Sequence, residues 1–289
     1  MTIKKSVLVI GAGGFTGRYV TEALQEAMSW VPFNGTAEGV NILDCKSFTS
    51  AVERIKPDAI INLAAVSTLS TNNVPQVYQL NGLAVVNMLD ALARINFQGR
   101  FITASSALVY GANTPAPIAE VAALRPEHHY SVAKAMADRA CEIYREKLDV
   151  VVSRPFNCIG IGHQSSFVVP KIVSHFRKRE NSISLGNVDS QRDFVDIRDV
   201  ANMYLAVLNT EATPSVINFC SGKATSIQEL ISRLSVLTGH KMSIHIDQKY
   251  VRENDNPYMC GDNTRLLSLD FDYQYDLNQT LDWMYKDQS

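Results

Sequence analysis

Short apolar runs alternate with segments of helical periodicity through the first half of the chain. Residues 7–10 (Val-Leu-Val-Ile), 59–65, 101–104 and 150–153 are almost continuously apolar, the pattern of strands covered on both faces within a parallel sheet. Between them, helical patterns fall over about 17–28, 47–55, 74–95 and 130–147. Residues 29–34 (Ser-Trp-Val-Pro-Phe-Asn) make a poor second strand. The βαβ alternation predicts an α/β fold, a doubly wound parallel sheet.

Beyond residue 155 the pattern loosens. Helices are predicted over about 167–179, 197–208 and 226–238, with strands at 182–185 and 216–220 and an aromatic, polar tail that includes Trp283. A large domain over 1–155, joined by about 193–221, and a smaller discontinuous lobe over 156–192 and 222–289 account for this arrangement. There is no internal repeat and no flexible linker.

The chain has 289 residues, 46% of them hydrophobic and 19% charged, enough for a sizeable core. A net charge of −2 and a pI near 6.3 leave no electrostatic footprint for nucleic acid or membrane. No stretch approaches 18 uninterrupted apolar residues, so no membrane span is expected. The first residues lead straight into the strand at 7–10, which argues against a cleaved leader. Five cysteines, an odd number with no Cys-x-x-Cys, read as reduced residues of a cytoplasmic protein. The six histidines offer no metal-ligand spacing, and no metal site is expected.

Three motifs change the picture. Gly11-Ala-Gly13-Gly14-Phe15-Thr16-Gly17 follows the first strand and opens a helix. Such glycines let backbone approach a pyrophosphate, while the helix N-terminus supplies amides and dipole. The acidic residue that would bind an adenine ribose hydroxyl about 20 positions later is missing, which tilts NAD(H) mildly towards NADP(H). Ser105-Ser106 closes the strand at 101–104, and Tyr130-Ser-Val-Ala-Lys134 places a phenol and an ammonium on one helical face. A Tyr-xxx-Lys pair alone arises readily by chance in a chain with 11 tyrosines. In this order the parts suit hydride transfer at a secondary alcohol: Tyr130 as acid/base, Lys134 favouring its phenolate, Ser106 holding the oxygen.

These motifs, with Asn62-Leu-Ala-Ala65, Asn81, Ser105-Ser-Ala-Leu-Val-Tyr-Gly111, Arg154-Pro-Phe-Asn157, Arg192-Asp-Phe-Val-Asp196 and Arg252-xx-Asp255, resemble extended short-chain dehydrogenases/reductases of the NAD-dependent epimerase/dehydratase family. The resemblance runs over essentially the whole chain and implies a Rossmann-type fold acting on a nucleotide-activated sugar. It implies Ser106, Tyr130 and Lys134 as catalytic residues. The cofactor groove would be lined by the glycine turn, Asn41, Ile42, Leu63, Ala64, Ala65, Ser67, Asn81 and Pro155. The substrate would meet Ser105, Ser106, Asn157, Phe167, Val168, Arg192, Arg252 and Asp255. Arg192 and Arg252 offer guanidinium forks to a diphosphate, although Arg192 could instead pair with Asp193 or Asp196.

Two departures refine the expectation. Dehydratases of this family carry an acidic residue two positions before the Tyr110-Gly111 counterpart; here Ala107-Leu108 stands in that motif, so elimination of water is disfavoured. His128-His129 precedes the tyrosine where the family has other residues, which would alter the substrate lip. Within the family the segments 154–160 and 166–168 most resemble NDP-4-keto-6-deoxyhexose 4-ketoreductases. A 4-epimerase with tightly held NAD and a non-catalytic dinucleotide sensor are the alternatives. The predicted helices 74–95 and 130–147 are apolar on more than one face, which implies a homodimer.

Overall fold

The computed structural model describes residues 4–66, 73–251 and 256–287. In chain order, β1 (Lys5–Ile10) leads through the glycine turn to α1 (Phe15–Glu26), β2 (Trp30–Asn34), α2 (Cys45–Ile55) and β3 (Ala59–Asn62). A helical arm follows: α3 (Val74–Tyr78), a π-helical turn (Gln79–Leu83) and α4 (Ala84–Arg94). Then come β4 (Arg100–Ala104), a 3₁₀ turn (Ala107–Tyr110), α5 (His129–Tyr144), β5 (Asp149–Pro155) and β6 (Asn157–Ile159). The chain continues through α6 (Val168–Arg177), β7 (Ser182–Leu185), β8 (Gln191–Asp196), α7 (Ile197–Asn209) and β9 (Val216–Phe219). It ends with β10 (Ala224–Ser226), α8 (Ile227–Thr238), β11 (Ser243–Ile246), β12 (Tyr258–Met259), α9 (Thr264–Leu267) and α10 (Leu277–Lys286).

Six strands form one parallel sheet in the order β2-β1-β3-β4-β5-β9. Its middle strands are apolar at successive positions because both faces are covered. Val7 and Val9 pack with α1 and α7, whereas Leu8 and Ile10 pack with α2, α4 and α5. The same alternation splits Ile61 from Ile60 and Val151 from Val150 and Val152, as the two-residue period of a strand demands. Each such buried aliphatic side chain contributes roughly 1.5–3 kcal/mol. Strand order reverses between β1 and β3, so the ligand crevice of such a sheet opens there, outside the carboxyl ends of the strands.

A separate apolar cluster lies within α6, β7, α8 and α10, with Ile172, Phe176, Leu230, Leu234 and Leu281 at its centre. Beside it β8 pairs with β10, β12 and β6, and β7 pairs with β11. Among the described residues no helix is long and apolar enough to cross a membrane.

Sequence and structure part at a few elements. The poor second strand is a full edge strand in register with β1, and an edge is where a strand tolerates a residue such as Pro32. The single helix predicted over 74–95 is interrupted by the π turn, which accommodates Asn81. The tail contains α10, closed at its start by a reciprocal cap between Asp276 and Gln279.

Candidate active site

Four functional segments leave the carboxyl ends of adjacent strands: the glycine turn after β1, residues 63–66 after β3, Ser105-Ser106 after β4 and Pro155 to Asn157 at β5. Gly11 has φ +81°, and a Cβ there would lie 2.7 Å from the Ala64 nitrogen. A Cβ on Gly17 would overlap the Gly11 carbonyl oxygen, so no larger residue fits without moving the turn. Gly13 is exposed and a Cβ there meets only open space, the room a pyrophosphate needs. Gly14 caps α1 with no side-chain hydrogen bond, and the first turn carries no acid. The amides near Phe15 and Thr16 are therefore left to an anion.

Across the crevice, Leu63 donates its N–H to the Ile10 carbonyl (2.8 Å), and Ala64 donates to Asn62 Oδ1 (3.3 Å). Ala65 is exposed on this rim. Asn81 is buried in the π turn, where its side chain accepts from Val66 N–H (3.1 Å) and donates to Val66 O (3.2 Å). It braces the rim, and π turns commonly serve such sites. Asn41 folds its carboxamide onto Leu43 N–H (3.0 Å), and Ile42 is buried beneath it. Ser67 lies outside the described residues. At the end of β2, Asn34 Oδ1 accepts from Thr36 and Ala37 (3.0 and 3.3 Å); a neutral carboxamide stands where NAD-binding sheets place a carboxylate. These residues fit a dinucleotide.

The candidate catalytic residues come together where the turn after β4 meets α5. Ser106 caps the 3₁₀ turn, accepting from Leu108 N–H at 3.2 Å, and its hydroxyl is close enough to Tyr130 to pull the phenol's pKa down. Lys134, one turn along α5, is buried and donates to the Ala104 carbonyl at 2.6 Å. In the protein alone, burial pushes the Tyr130 phenol up to about 12, against the downward pull of Ser106. That is opposite to the expected direction: Lys134 is not among the groups that pull the phenol down, and burial lowers the lysine itself to about 8. Tyr130 therefore stands as a protonated acid.

His128 and His129, expected to alter the substrate lip, both anchor α5. His128 Nδ1 accepts from Ser131 N–H (3.2 Å) and Ser131 Oγ accepts from His128 N–H (3.2 Å), a reciprocal cap on the catalytic helix. His129 shares a hydrogen bond with Tyr78 (3.1 Å), tying α5 to α3.

The substrate-side residues divide. The Ser105 hydroxyl turns inward and donates to Asp138 at 3.0 Å, away from the crevice. Asn157 donates to the Asp193 carbonyl (3.2 Å). Phe167 caps α6 and Val168 begins it. Arg192 donates to the Gln191 carbonyl at 2.8 Å, while Asp193 accepts from Ser221, Gly222 and Gly261 and Asp196 pairs with Arg198. Arg252 and Asp255 lie outside the described residues. His163, which sequence reading passed over, stacks on Phe15 (4.4 Å between centroids) and on Phe167 (4.1 Å). It joins the glycine turn to α6, and burial lowers it to about 4, so the ring is neutral near pH 7.

A groove of about 770 Å³ opens at the opposite, amino ends of the strands, among Lys5, Trp30, Asp58 and Arg100. It lies far from this chemistry. Arg100 there is satisfied by Asp149, Thr213 and the carbonyls of Val207, Thr210 and Glu211, which marks a structural seam.

The sequence model of the NAD dependent epimerase/dehydratase family matches residues 7–220. The chain belongs to that family. Family and relatives together make it an NAD(P)-dependent oxidoreductase of the short-chain dehydrogenase/reductase type. It is 32% identical to GDP-6-deoxy-D-talose 4-dehydrogenase of Aggregatibacter actinomycetemcomitans over 97% of both chains. It is 30% identical to GDP-6-deoxy-D-mannose reductase of Pseudomonas aeruginosa over 90% of this chain and 89% of that one. The solved structure of RMD from Pseudomonas aeruginosa, complexed with NADPH, superposes with a TM-score of 0.89 at 28% identity, over 98% of each chain.

Proposed function

We propose that the chain reduces the C4 ketone of an NDP-4-keto-6-deoxyhexose, GDP- or dTDP-linked, with NAD(P)H in deoxysugar biosynthesis. The observation that carries the reading is the Ser106–Tyr130 pair beside a serine turn whose next residues, Ala107 and Leu108, are apolar and packed. The turn can hold and protonate a carbonyl oxygen and has no group for removing water from the ring. Reduced nicotinamide, when bound, supplies the hydride. Ser106 donates a hydrogen bond to the C4 oxygen, Tyr130 gives it a proton, and Lys134 holds the cofactor ribose. The turn at Gly11 to Gly17, the rim at Leu63 to Ala65 with Asn81, and Pro155 line the cofactor. Asn157, Phe167, Val168 and Arg192 reach the nucleotide sugar from the lobe of residues 156–192 and 222–289. The missing carboxylate after β2, together with the NADPH of the related structure, favours NADP(H). Five free cysteines suit a cytoplasmic setting.

Incubation with preformed GDP- or dTDP-4-keto-6-deoxyhexose and NADPH or NADH tests this. The expected result is stoichiometric oxidation of the cofactor and one C4 product. Interconversion of C4 epimers with no net cofactor oxidation would replace the reading with that of an epimerase.

The outward sides of α4 and α5 support a homodimer. Leu83, which caps the start of α4, and Ile143 on α5 are exposed (48% and 76%), and helices apolar beyond their own sheet call for a partner. Light scattering at micromolar concentration should give twice the chain mass; a monomeric mass removes the proposal.

A further inference from the structure

Beneath the Ser106–Tyr130 pair lies a buried polar cluster that no step of the reduction uses. Asp138 stands on α5 one turn beyond Lys134 and two beyond Tyr130, at the spacing that keeps side chains on one helical face. It is 1% exposed. Its carboxylate accepts from Ser105 Oγ (3.0 Å), Arg154 Nε (2.9 Å) and Arg154 Nη2 (3.1 Å). Arg154, 3% exposed, also donates to the Tyr110 hydroxyl (3.0 Å) and the Glu120 carbonyl (2.9 Å). One carboxylate thus ties together the serine turn after β4, the catalytic helix, and the strand that runs on to Pro155 and Asn157.

A buried ion pair is by itself a weak source of stability, since apolar replacements are often neutral or better. The location of this one is what calls for an explanation. The titratable and charged groups around it are Lys134 and Cys141 on α5, Arg154 on β5, Tyr110 at the end of the 3₁₀ turn and Glu120 in the loop beyond. Burial works against the Lys134 ammonium, and the negative charge of Asp138 is what opposes it.

We propose that Asp138 is a positioning residue for the reduction: it clamps Ser105, and with it Ser106, to the helix carrying Tyr130 and Lys134, and it sets a negative charge one turn from the Lys134 ammonium. The proposal rests on the reductase reading, so its test has one arm that needs no sugar. NADPH affinity is followed by cofactor fluorescence across the pH range that spans the Lys134 value of about 8, and kcat and KM are measured separately with the keto sugar. Wild-type affinity should fall as the pH rises through that value, because the ammonium that holds the ribose is lost.

Asp138→Asn should move this fall to lower pH by about one unit or more, the usual effect of an opposite charge nearby. It should also lower kcat roughly tenfold to a hundredfold with KM little changed, the cost of displaced catalytic groups. Asp138→Glu keeps the charge and should leave the pH of the fall in place. Ser105→Ala should lower kcat without moving it. A fall at the wild-type pH in Asp138→Asn, or wild-type kcat in Ser105→Ala, overturns the proposal. If Asp138→Asn leaves Arg154 too poorly compensated to fold, the other two variants decide: a shifted fall in Asp138→Glu overturns it equally. A wild-type protein inert towards the keto sugar would remove the reductase reading and leave the cofactor arm readable.

Discussion

Tyr130→Phe should leave less than a tenth of the wild-type kcat, and the expected loss is about 10²–10⁴-fold, the usual contribution of a positioned acid. Dinucleotide affinity should stay close to wild type, because the variant removes one hydroxyl and keeps the ring, its helix and Lys134. The phenol is placed for donation: burial holds it at about 12 in the protein alone, so it carries its proton throughout the neutral range. The same geometry fixes the sign of the pH dependence. Reduction consumes the protonated form and should not lose rate to Tyr130 ionisation near neutrality. The reverse oxidation needs the phenolate and should rise with pH, helped by the positive charge of an oxidised nicotinamide. Single-turnover cofactor oxidation together with cofactor fluorescence separates the two effects. Retention of more than a tenth of wild-type kcat would take Tyr130 out of the central role.

The parts of this site that could be read from sequence are those set by local rules. A glycine turn between an apolar strand and a helix announces a phosphate cradle, and four-residue spacing places Tyr130 and Lys134 on one face. Two-sided burial makes β1, β3, β4 and β5 apolar at successive positions, so the sheet was legible as well. Long-range pairing was not. Ser105 and Ser106 are neighbours of the same type, and only the position of Asp138, 33 residues away, turns one inward and leaves the other to Tyr130. Asp138 did leave a trace, as an acid on the face of α5 that carries Lys134. His163 left none, because its two stacking partners lie far apart in the chain. The strands β6, β10 and β12 have only two or three residues each, and β8 runs three polar residues before Phe194 and Val195, so none carries a readable periodicity. The Asp276–Gln279 cap of α10 rests on an Asp-x-x-Gln pattern that went unread in the aromatic, polar tail.

Given GDP-mannose or dTDP-glucose, the protein should release no 4-keto-6-deoxy product. Elimination across C5–C6 needs a base for the C5 proton and an acid for the departing C6 hydroxyl, each contributing about 10²–10⁴-fold. The family's dehydratases draw on acidic side chains in the serine turn. Here that turn presents Ala107, which is 2% exposed, and Leu108, which packs against the cluster around Val109 and Tyr110. Two buried acids beside the turn are already engaged: Asp138 by Ser105 and Arg154, and Glu120 by the Asn218 amide and Arg265. Neither is available to the far end of a sugar ring. Chromatography of the nucleotide sugars after prolonged incubation with NAD(P)⁺ measures the outcome directly. A 4-keto-6-deoxy product would mean that other residues supply the acid and base, and reduction would then have to give way to dehydration as the reaction of this site.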